Sequence, residues 1–243
     1  VQVREFERAV CDDTYPLFAR FYAWAKLLRH WASLRWDDSL GIRPSRLKLR
    51  ARTLYGLLER TKTSGPDKKT RVLPFFVSRE AFLETRWLEE GLRILKDTEL
   101  GFDRDYLVPL PSPDLSGTVG LRARYSDALG FSRDLLARLQ CSDGQALHLD
   151  EAVHHWSEHS ERAGCSSWLA ALGVGDDKRG FLGRWAVTSS PNTYVRTAGR
   201  VVEDLQLLAT RAARASLAKG PDWFGEEGLL ADLRAFLETR GVE

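Results

Sequence analysis

The strongest constraint on the fold is a run of apolar residues between Pro16 and Asp38 that recur at every third or fourth position. Spacing of this kind places apolar side chains on one face of a helix. The apolar positions are Leu17, Phe18, Phe21, Tyr22, Trp24, Ala25, Leu28, Trp31 and Leu34. The pattern predicts one amphipathic helix over Pro16–Asp38, with Arg35 near its C-terminal end.

The rest of the periodicity predicts a mainly α chain with a small antiparallel β-sheet. Three β-prone runs lie near the start, at Leu47–Arg50, Thr53–Thr61 and Arg71–Ser78. Turn-forming residues between the last two runs predict a hairpin with Lys62 at its turn. The proline-rich segment Leu100–Tyr125 is predicted to be a long loop. Further helices are predicted over Arg79–Lys96, Ser132–Leu139, Leu149–Arg162, Ser166–Leu172, Lys178–Leu182, Pro191–Ala218 and Trp223–Arg240.

The composition limits the partners and the location of the chain. The formal net charge is only +2, so any DNA-binding face must come from local clustering of basic residues. The cysteines Cys11, Cys141 and Cys165 are widely spaced and odd in number, which is typical of reduced thiols in an intracellular protein. The sequence has no apolar run of membrane-spanning length and no signal peptide, so no membrane partner is expected. It lacks methionine and begins at Val1, so we expect an excised piece of a longer protein.

Six residues form a pattern suited to phosphoryl transfer with a tyrosine nucleophile. His159 and Arg162 stand three positions apart, which puts them on one face of a helix. The full set, in chain order, is Arg35, Lys62, His159, Arg162, Trp185 and Tyr194. Their types and order predict a site that binds a phosphodiester and attacks it.

The two arginines would bind the phosphate. Arg35 and Arg162 would contact both non-bridging oxygens, because a guanidinium matches two phosphate oxygens without a metal. Asp38 would return on the same helical face as Arg35 and fix its guanidinium, while Asp37 competes for that role with poorer spacing. Trp185 would donate its indole N–H to a phosphate oxygen and pack against the pocket.

Tyr194 needs assistance to act as a nucleophile, because a phenol has a pKa near ~10. Ser190 and Pro191 supply an N-cap and a first-turn proline. Tyr194 is therefore predicted in the first turn of its helix, near the positive end of the helix dipole, which favours the phenolate. His159 would accept the proton or bind the phosphate, and Lys62 would protonate the leaving 5′ oxygen.

Each of these residues also has an ordinary structural interpretation when it is taken alone. Arg35 would cap the carbonyl groups at a helix end. Tyr194 would be a half-buried aromatic residue of an amphipathic helix, and Trp185 would belong to the core. The joint order of the six residues, with compatible secondary structure, favours the catalytic interpretation.

Two other features compete with this assignment. Lys68 and Lys69 lie just across the turn from Lys62 and rival it as the acid. Three histidines stand near His159 in the sequence, which raises the question of a zinc site. No cysteine or pair of carboxylates stands at ligand spacing beside them, so no metal site is predicted. These histidines are His148, His154 and His155.

The order of the six residues resembles that of the tyrosine recombinases, the phage-integrase family. The turn Arg60-Thr61-Lys62-Thr63 is similar to the family's strand turn that carries the catalytic lysine. The stretch from Trp168 to Gly173, followed by Phe181–Trp185, is similar to the helices that lead to the family's Leu-Gly-His box, with tryptophan in place of the histidine. The resemblance covers residues 15–211.

The resemblance implies a tyrosine recombinase or integrase catalytic domain over residues 1–219. Residues 220–243 would form a C-terminal helix that either closes the domain's own core or is exchanged between subunits. The family's helical DNA-clamping domain is missing from residues 1–14. The implied activity is the site-specific breaking and rejoining of double-stranded DNA through a 3′-phosphotyrosine intermediate, with no cofactor.

The resemblance also implies how and where such an enzyme works. We expect a homo-oligomer, a tetramer, on DNA. Such a recombinase would belong to a mobile element and carry out DNA integration or excision. It would act inside the cell together with DNA, in the nucleus of a eukaryote or in the cytoplasm and nucleoid of a bacterium.

Three other functions stay open at this point. A type IB topoisomerase shares the site chemistry, but works as a monomer and reseals the same strand. A catalytically inactive DNA-binding relative would have no chemical reason to keep Tyr194 together with both arginines. A structural protein without a DNA role would be separated from all of these by a salt-dependent DNA-binding assay.

Overall fold

Helices provide most of the regular structure in the computed structural model. The described residues are the whole chain apart from 63, 68–70, 98–99, 141–143, 149–152, 155, 185–190, 220–234, 236–237 and 240–243, and residues 191–197 and 219 are described by their backbone alone. The helices are α1 (Gln2–Cys11), α2 (Leu17–Trp31), α3 (Trp36–Ser39), α4 (Trp87–Leu95), α5 (Tyr125–Arg138), α6 (Ser160–Ala171), α7 (Asp176–Gly183) and α8 (Pro191–Lys219). The strands are β1 (Lys48–Leu49), β2 (Thr53–Leu58), β3 (Leu73–Ser78), β4 (Pro109–Pro111) and β5 (Thr118–Arg122).

A small antiparallel sheet accompanies the helices, as predicted. It has the order β1, β2, β3, with Lys48 opposite Tyr55 and Leu58 opposite Leu73. Side chains along β2 alternate between half-buried and buried, which is the pattern of a strand with one face on the core. The prediction of a mainly helical chain with a small antiparallel sheet is confirmed, and the turn that carries Lys62 follows β2.

The segment predicted as a long loop contains a second, two-stranded sheet. β4 and β5 pair antiparallel, with Pro109 opposite Arg122 and Pro111 opposite Thr118. The prolines of β4 led to the loop prediction, because proline cannot donate to a strand ladder. A ribbon of two strands tolerates proline on the side of a strand that has no partner. The loop prediction over Leu100–Tyr125 is therefore wrong at these two strands.

α2 is the centre of the fold and is buried on every side. Every residue from Phe18 to Trp31 is buried, including the charged Lys26 and Arg29. α1, α4, α5 and α6 all pack against this helix. The sequence predicted an amphipathic helix with a solvated face, but segments far apart in the chain cover that face.

The predicted helix over Pro16–Asp38 is interrupted before Arg35. α2 ends at Trp31, Ser33 has left-handed backbone with φ 49°, and α3 begins at Trp36. Apolar residues continue at helical spacing through this turn, so periodicity did not reveal it. Arg35 thus precedes a new short helix and does not end the long one.

The predicted helix over Arg79–Lys96 is also too long, because α4 begins at Trp87. The preceding residues are held by Glu7 of α1, whose carboxylate accepts the backbone N–H groups of Leu83, Glu84 and Thr85 at 2.7, 2.8 and 3.1 Å. These bonds replace the helical ones. The accepting carboxylate comes from α1, a helix that was not predicted from the sequence.

The later helices match their predictions more closely. α7 and α8 cover the predicted Lys178–Leu182 and Pro191–Ala218, and α5 extends the predicted Ser132–Leu139 toward its N-terminus. α6 joins the end of the helix predicted over Leu149–Arg162 to most of the helix predicted over Ser166–Leu172, while residues 149–152 and 155 of the first prediction lie outside the described residues. The predicted C-terminal helix over Trp223–Arg240 lies largely outside the described residues. No helix in the described part of the chain is both long enough and apolar enough to cross a membrane.

Candidate active site

Three of the six predicted site residues line one cleft, which we call the arginine cleft. Arg35 comes from the turn between α2 and α3, Lys62 from the turn after β2, and Arg162 from the first turn of α6. The cleft has a volume of about 260 Å³. Its lining residues are Arg35, Asp38, Thr61, Lys62, Leu73, Arg162, Gly183 and Arg184. Among the residues that the structure describes, four cations therefore surround a single carboxylate, and the excess positive charge suits an anionic ligand.

Arg162 is held to the turn that ends α2. Its Nη1 donates to the Ser33 carbonyl at 3.0 Å, and the Ser33 hydroxyl donates to the Arg162 carbonyl at 2.7 Å. Nη2 donates to the carbonyl of Gly183 at 3.5 Å. Burial lowers the pKa of Arg162, the nearby charge of Arg35 lowers it further, and Asp38 opposes both. The guanidinium is thus fixed in orientation before any ligand binds.

Asp38 has a different role from the predicted one. Its Oδ2 accepts the backbone N–H of Arg35 at 2.9 Å, which caps the start of α3. The same oxygen lies 3.6 Å from Arg162 Nη1 and 3.7 Å from Arg184 Nη2. Because Arg35 stands at the N-terminus of α3, Asp38 meets its backbone and pairs with two other arginines. Asp37, the competing acid, lines a neighbouring larger cleft and is not among the described residues that line the arginine cleft.

Arg184 was not predicted from the sequence. It follows Gly183 with left-handed backbone, φ 57° and ψ 32°, and is buried deeply enough to lower its pKa to about 10, against the opposing pull of Asp38. Its Nη1 donates to the Ala32 carbonyl at 2.9 Å, and its Nη2 to the Ser33 carbonyl at 3.1 Å. The available signal was its position directly after Leu182 and Gly183 in the motif, where the resemblance pointed to the next residue, Trp185.

Lys62 lies between the arginine cleft and a larger one of about 740 Å³, the wide cleft, which also contains Arg60 and Arg122. Its turn is fixed by the neighbouring Thr61, whose backbone N–H donates to the Ser64 carbonyl at 2.9 Å. The Thr61 and Ser64 hydroxyl groups are 2.8 Å apart, and Ser64 is buried. The lysine is exposed. Its rivals Lys68 and Lys69 lie outside the described residues.

His159 is placed beside the arginine cleft and does not line it. It is exposed and lies directly before α6. With Arg162, Ser166 and Ser167 it lines a separate cleft of about 280 Å³. Arg162 lines this cleft as well as the arginine cleft, so His159 and Arg162 are neighbours, as their spacing predicted. Within the described residues, no group of three or more His, Cys, Asp or Glu side chains is arranged to hold a metal ion.

Trp185 and the Tyr194 side chain lie outside the described residues. The backbone of Tyr194 is described, and it is in the first turn of α8, which begins at Pro191. This location agrees with the prediction from Ser190 and Pro191. The chain reaches it shortly after Gly183 and Arg184, which line the arginine cleft.

Buried charges hold α6, and with it Arg162, against α2. Lys26 Nζ lies 2.5 Å from Glu161 Oε1, and Arg29 Nη1 lies 2.5 Å from Glu158 Oε2. Burial disfavours the ionised form of Glu158, but the charges of Arg29 and Lys26 outweigh it and lower the pKa to about 2. Glu158 and Glu161 flank His159 and precede Arg162, so this network fixes the segment that carries both predicted residues.

The backbones of α2 and α6 are also close together at Gly164. A side-chain Cβ at this glycine would meet His30 Nδ1 at 2.3 Å, which no real contact tolerates. Buried His30 packs against Trp31 and Trp168, with ring centroids 5.1 and 4.7 Å away. The glycine lets the buried ions on the facing surfaces of the two helices reach each other.

We expect Lys26→Met to destabilise the fold strongly. The change leaves Glu161 buried beside an apolar side chain, and breaking a buried ion pair costs about 3–5 kcal/mol. The matched control is Arg138→Met, which breaks the surface pair with Asp134 and should cost about 0–1 kcal/mol. Urea unfolding of both variants at neutral pH measures the difference. Equal losses of unfolding free energy would show that the buried network does not stabilise the fold.

Comparison with known proteins leaves the family open. No protein-family model matches the sequence, and no curated protein matches it. Among solved structures, the chain is similar to that of "FLP Recombinase-Holliday Junction Complex I", with 14% sequence identity and a TM-score of 0.47. The match covers 92% of this chain and 59% of that chain. The chain therefore spans less than two thirds of the length of the recombinase that it resembles.

Proposed function

We propose that the chain is the catalytic domain of a tyrosine-type DNA recombinase. The observation that carries this proposal is the arginine cleft, where Arg35, Lys62 and Arg162 meet although they are far apart in the sequence. The sequence pattern predicted that the two arginines bind the phosphate and that the lysine donates a proton. Their basic side chains surround a space suited to one phosphodiester group.

In the proposed reaction, Arg35 and Arg162 bind the non-bridging oxygens of the scissile phosphate and stabilise the charge that develops on them. The Tyr194 oxygen attacks phosphorus and forms the 3′-phosphotyrosine bond, while the phenolic proton passes to His159. The bond from phosphorus to the 5′ oxygen breaks, and Lys62 supplies the proton that makes a 5′ hydroxyl. A 5′ hydroxyl from a partner strand then attacks the phosphotyrosine and gives its proton to Lys62. The bond from phosphorus to the Tyr194 oxygen breaks, His159 returns the proton to the tyrosine, and a phosphodiester is restored.

The proposal extends to the assembly. Residues 1–219 would form the catalytic domain, and a tetramer on double-stranded DNA would bring two pairs of strands together for exchange. The segment 220–243 would join neighbouring subunits. The enzyme would work in the compartment that holds the DNA, as part of a mobile element.

Two observations would separate the alternatives. A type IB topoisomerase would relax supercoiled plasmid as a monomer, which sedimentation during the reaction can detect. A catalytically inactive relative would bind DNA in a salt-dependent way without forming any covalent link.

The direct test is a covalent adduct formed by the wild-type chain. The substrate is a pool of duplexes with randomised sequence, each nicked so that cleavage releases a short 5′ hydroxyl fragment and religation is lost. We expect a protein–DNA complex that survives boiling in detergent and yields a phosphotyrosine peptide after digestion. Salt-dependent binding of the pool without any adduct would contradict the proposal.

A further inference from the structure

Arg184 occupies the arginine cleft in a way that the proposed reaction does not use. Its guanidinium donates to three backbone carbonyls, those of Ala32 at 2.9 Å, Leu182 at 3.3 Å and Ser33 at 3.1 Å. Three of its five N–H groups are therefore directed at backbone acceptors and away from a ligand. The guanidinium contacts the same turn as Arg162.

Arg162 and Arg184 share one hydrogen-bond acceptor and one counter-ion. The Ser33 carbonyl receives Nη1 of Arg162 at 3.0 Å and Nη2 of Arg184 at 3.1 Å. Asp38 Oδ2 lies 3.6 Å from the first arginine and 3.7 Å from the second. The position of one guanidinium thus determines the space and the acceptors available to the other.

The shared turn has an uncommon backbone that needs support. Ser33 has φ 49° and Arg184 has φ 57°, and both lie in the left-handed region that non-glycine residues seldom adopt. The carbonyls of Ala32 and Ser33 end α2, where a cation is favourable because the helix dipole is negative. The Arg184 guanidinium satisfies both carbonyls and keeps the Ser33 carbonyl directed at Arg162.

We propose that Arg184 is a positioning residue that holds Arg162 in the orientation needed to bind the scissile phosphate. The inference rests on the proposed function and deepens it. Arg184 acts through the Ser33 carbonyl and Asp38, and it makes no contact with the phosphate. Its planar fork is essential because it reaches two adjacent carbonyls at once, which a lysine ammonium does not reproduce.

The test is a double-mutant cycle measured by the single-turnover rate of adduct formation on a duplex recovered with wild-type protein. We expect Arg184→Ala to slow the reaction on the order of 10²-fold, because a displaced binding group costs that much. In the Arg162→Ala background the same change should add almost nothing. DNA affinity, measured separately at fixed salt, should stay close to that of wild type.

Two variants complete the experiment. Arg179→Ala is the matched control, because Arg179 lies on α7 shortly before Arg184 and also donates to a backbone carbonyl, that of Val174, but lines none of the three clefts. It should react at the wild-type rate. Arg184→Lys keeps the charge and should stay folded at the assay temperature, as circular dichroism can verify, yet react slowly. It carries the test if Arg184→Ala does not fold.

The outcomes are distinct. Losses from Arg162→Ala and Arg184→Ala that multiply would mean that Arg184 contacts the phosphate itself, and would overturn the inference. Full activity of Arg184→Lys would overturn it too, because charge alone would then suffice. A wild-type chain that forms no adduct would overturn the proposed function, whereas normal rates in the Arg184 variants beside an active wild type would overturn only this inference.

Discussion

Tyr194→Phe is expected to abolish the covalent protein–DNA adduct completely. Phenylalanine lacks the oxygen that forms the bond to phosphorus, so no other change in the site can compensate. The location of Tyr194 in the first turn of α8 motivates the test, because partial positive charge at a helix N-terminus favours a phenolate. The measurement is the fraction of labelled DNA that stays with the protein after boiling in detergent.

The control is Tyr125→Phe. Tyr125 is exposed and is the first residue of α5, so it too is a tyrosine at the start of a helix. Its replacement should leave the adduct unchanged, and both variants should bind DNA as the wild type does. An adduct that persists in Tyr194→Phe, or a linked peptide that maps to Tyr125, would refute the assignment.

The second large effect separates the proton donor from the phosphate-binding residues. Loss of a general acid costs about 10²–10⁴-fold in rate, and Lys62→Ala should lose that much on ordinary DNA. A substrate whose 5′ bridging oxygen is replaced by sulfur releases a thiolate, which needs no proton to leave. We therefore expect this substrate to restore most of the single-turnover rate of Lys62→Ala.

The same substrate should not rescue Arg35→Ala or Arg162→Ala, because both arginines act on non-bridging oxygens that the sulfur leaves unchanged. Lys68→Ala and Lys69→Ala change the two lysines that rival Lys62 in the sequence, so they are the matched controls and should cleave ordinary DNA normally. If the sulfur substrate rescued one of these two variants and not Lys62→Ala, the rescued lysine would be the general acid. Rescue of an arginine variant would contradict the division of roles.

Local patterns predicted the helices that depend on local sequence. α8 begins at Pro191, as its proline and serine indicated, and the hairpin turn that carries Lys62 follows β2. Local patterns did not predict the backbone conformation where a residue distant in the sequence determines it. Glu7 prevents a helix before Trp87 by binding three backbone N–H groups of another segment. The spacing of residues in the sequence does not indicate such a long-range hydrogen bond.

The candidate site shows the same division. Arg35, Lys62 and Arg162, which were chosen for their types and order in the sequence, do line one cleft, and their roles stay a prediction. The sequence pattern did not indicate the turn at Ser33 or the ion pairs of Asp38 with two other arginines. Both depend on how the end of α2 meets α6 and α7. Arg184 was missed for this reason, since its importance lies in carbonyls more than a hundred positions earlier in the chain.

The complete burial of α2 has a consequence for how this chain can diverge over evolutionary time. The helix supports the Ser33 turn at one end and, through Lys26 and Arg29, the segment that carries Arg162. A substitution inside α2 therefore alters the geometry of the arginine cleft as well as folding, although the side chains of α2 do not line that cleft. Most side chains of strand β5 are exposed, so we expect substitutions to accumulate there faster than in α2.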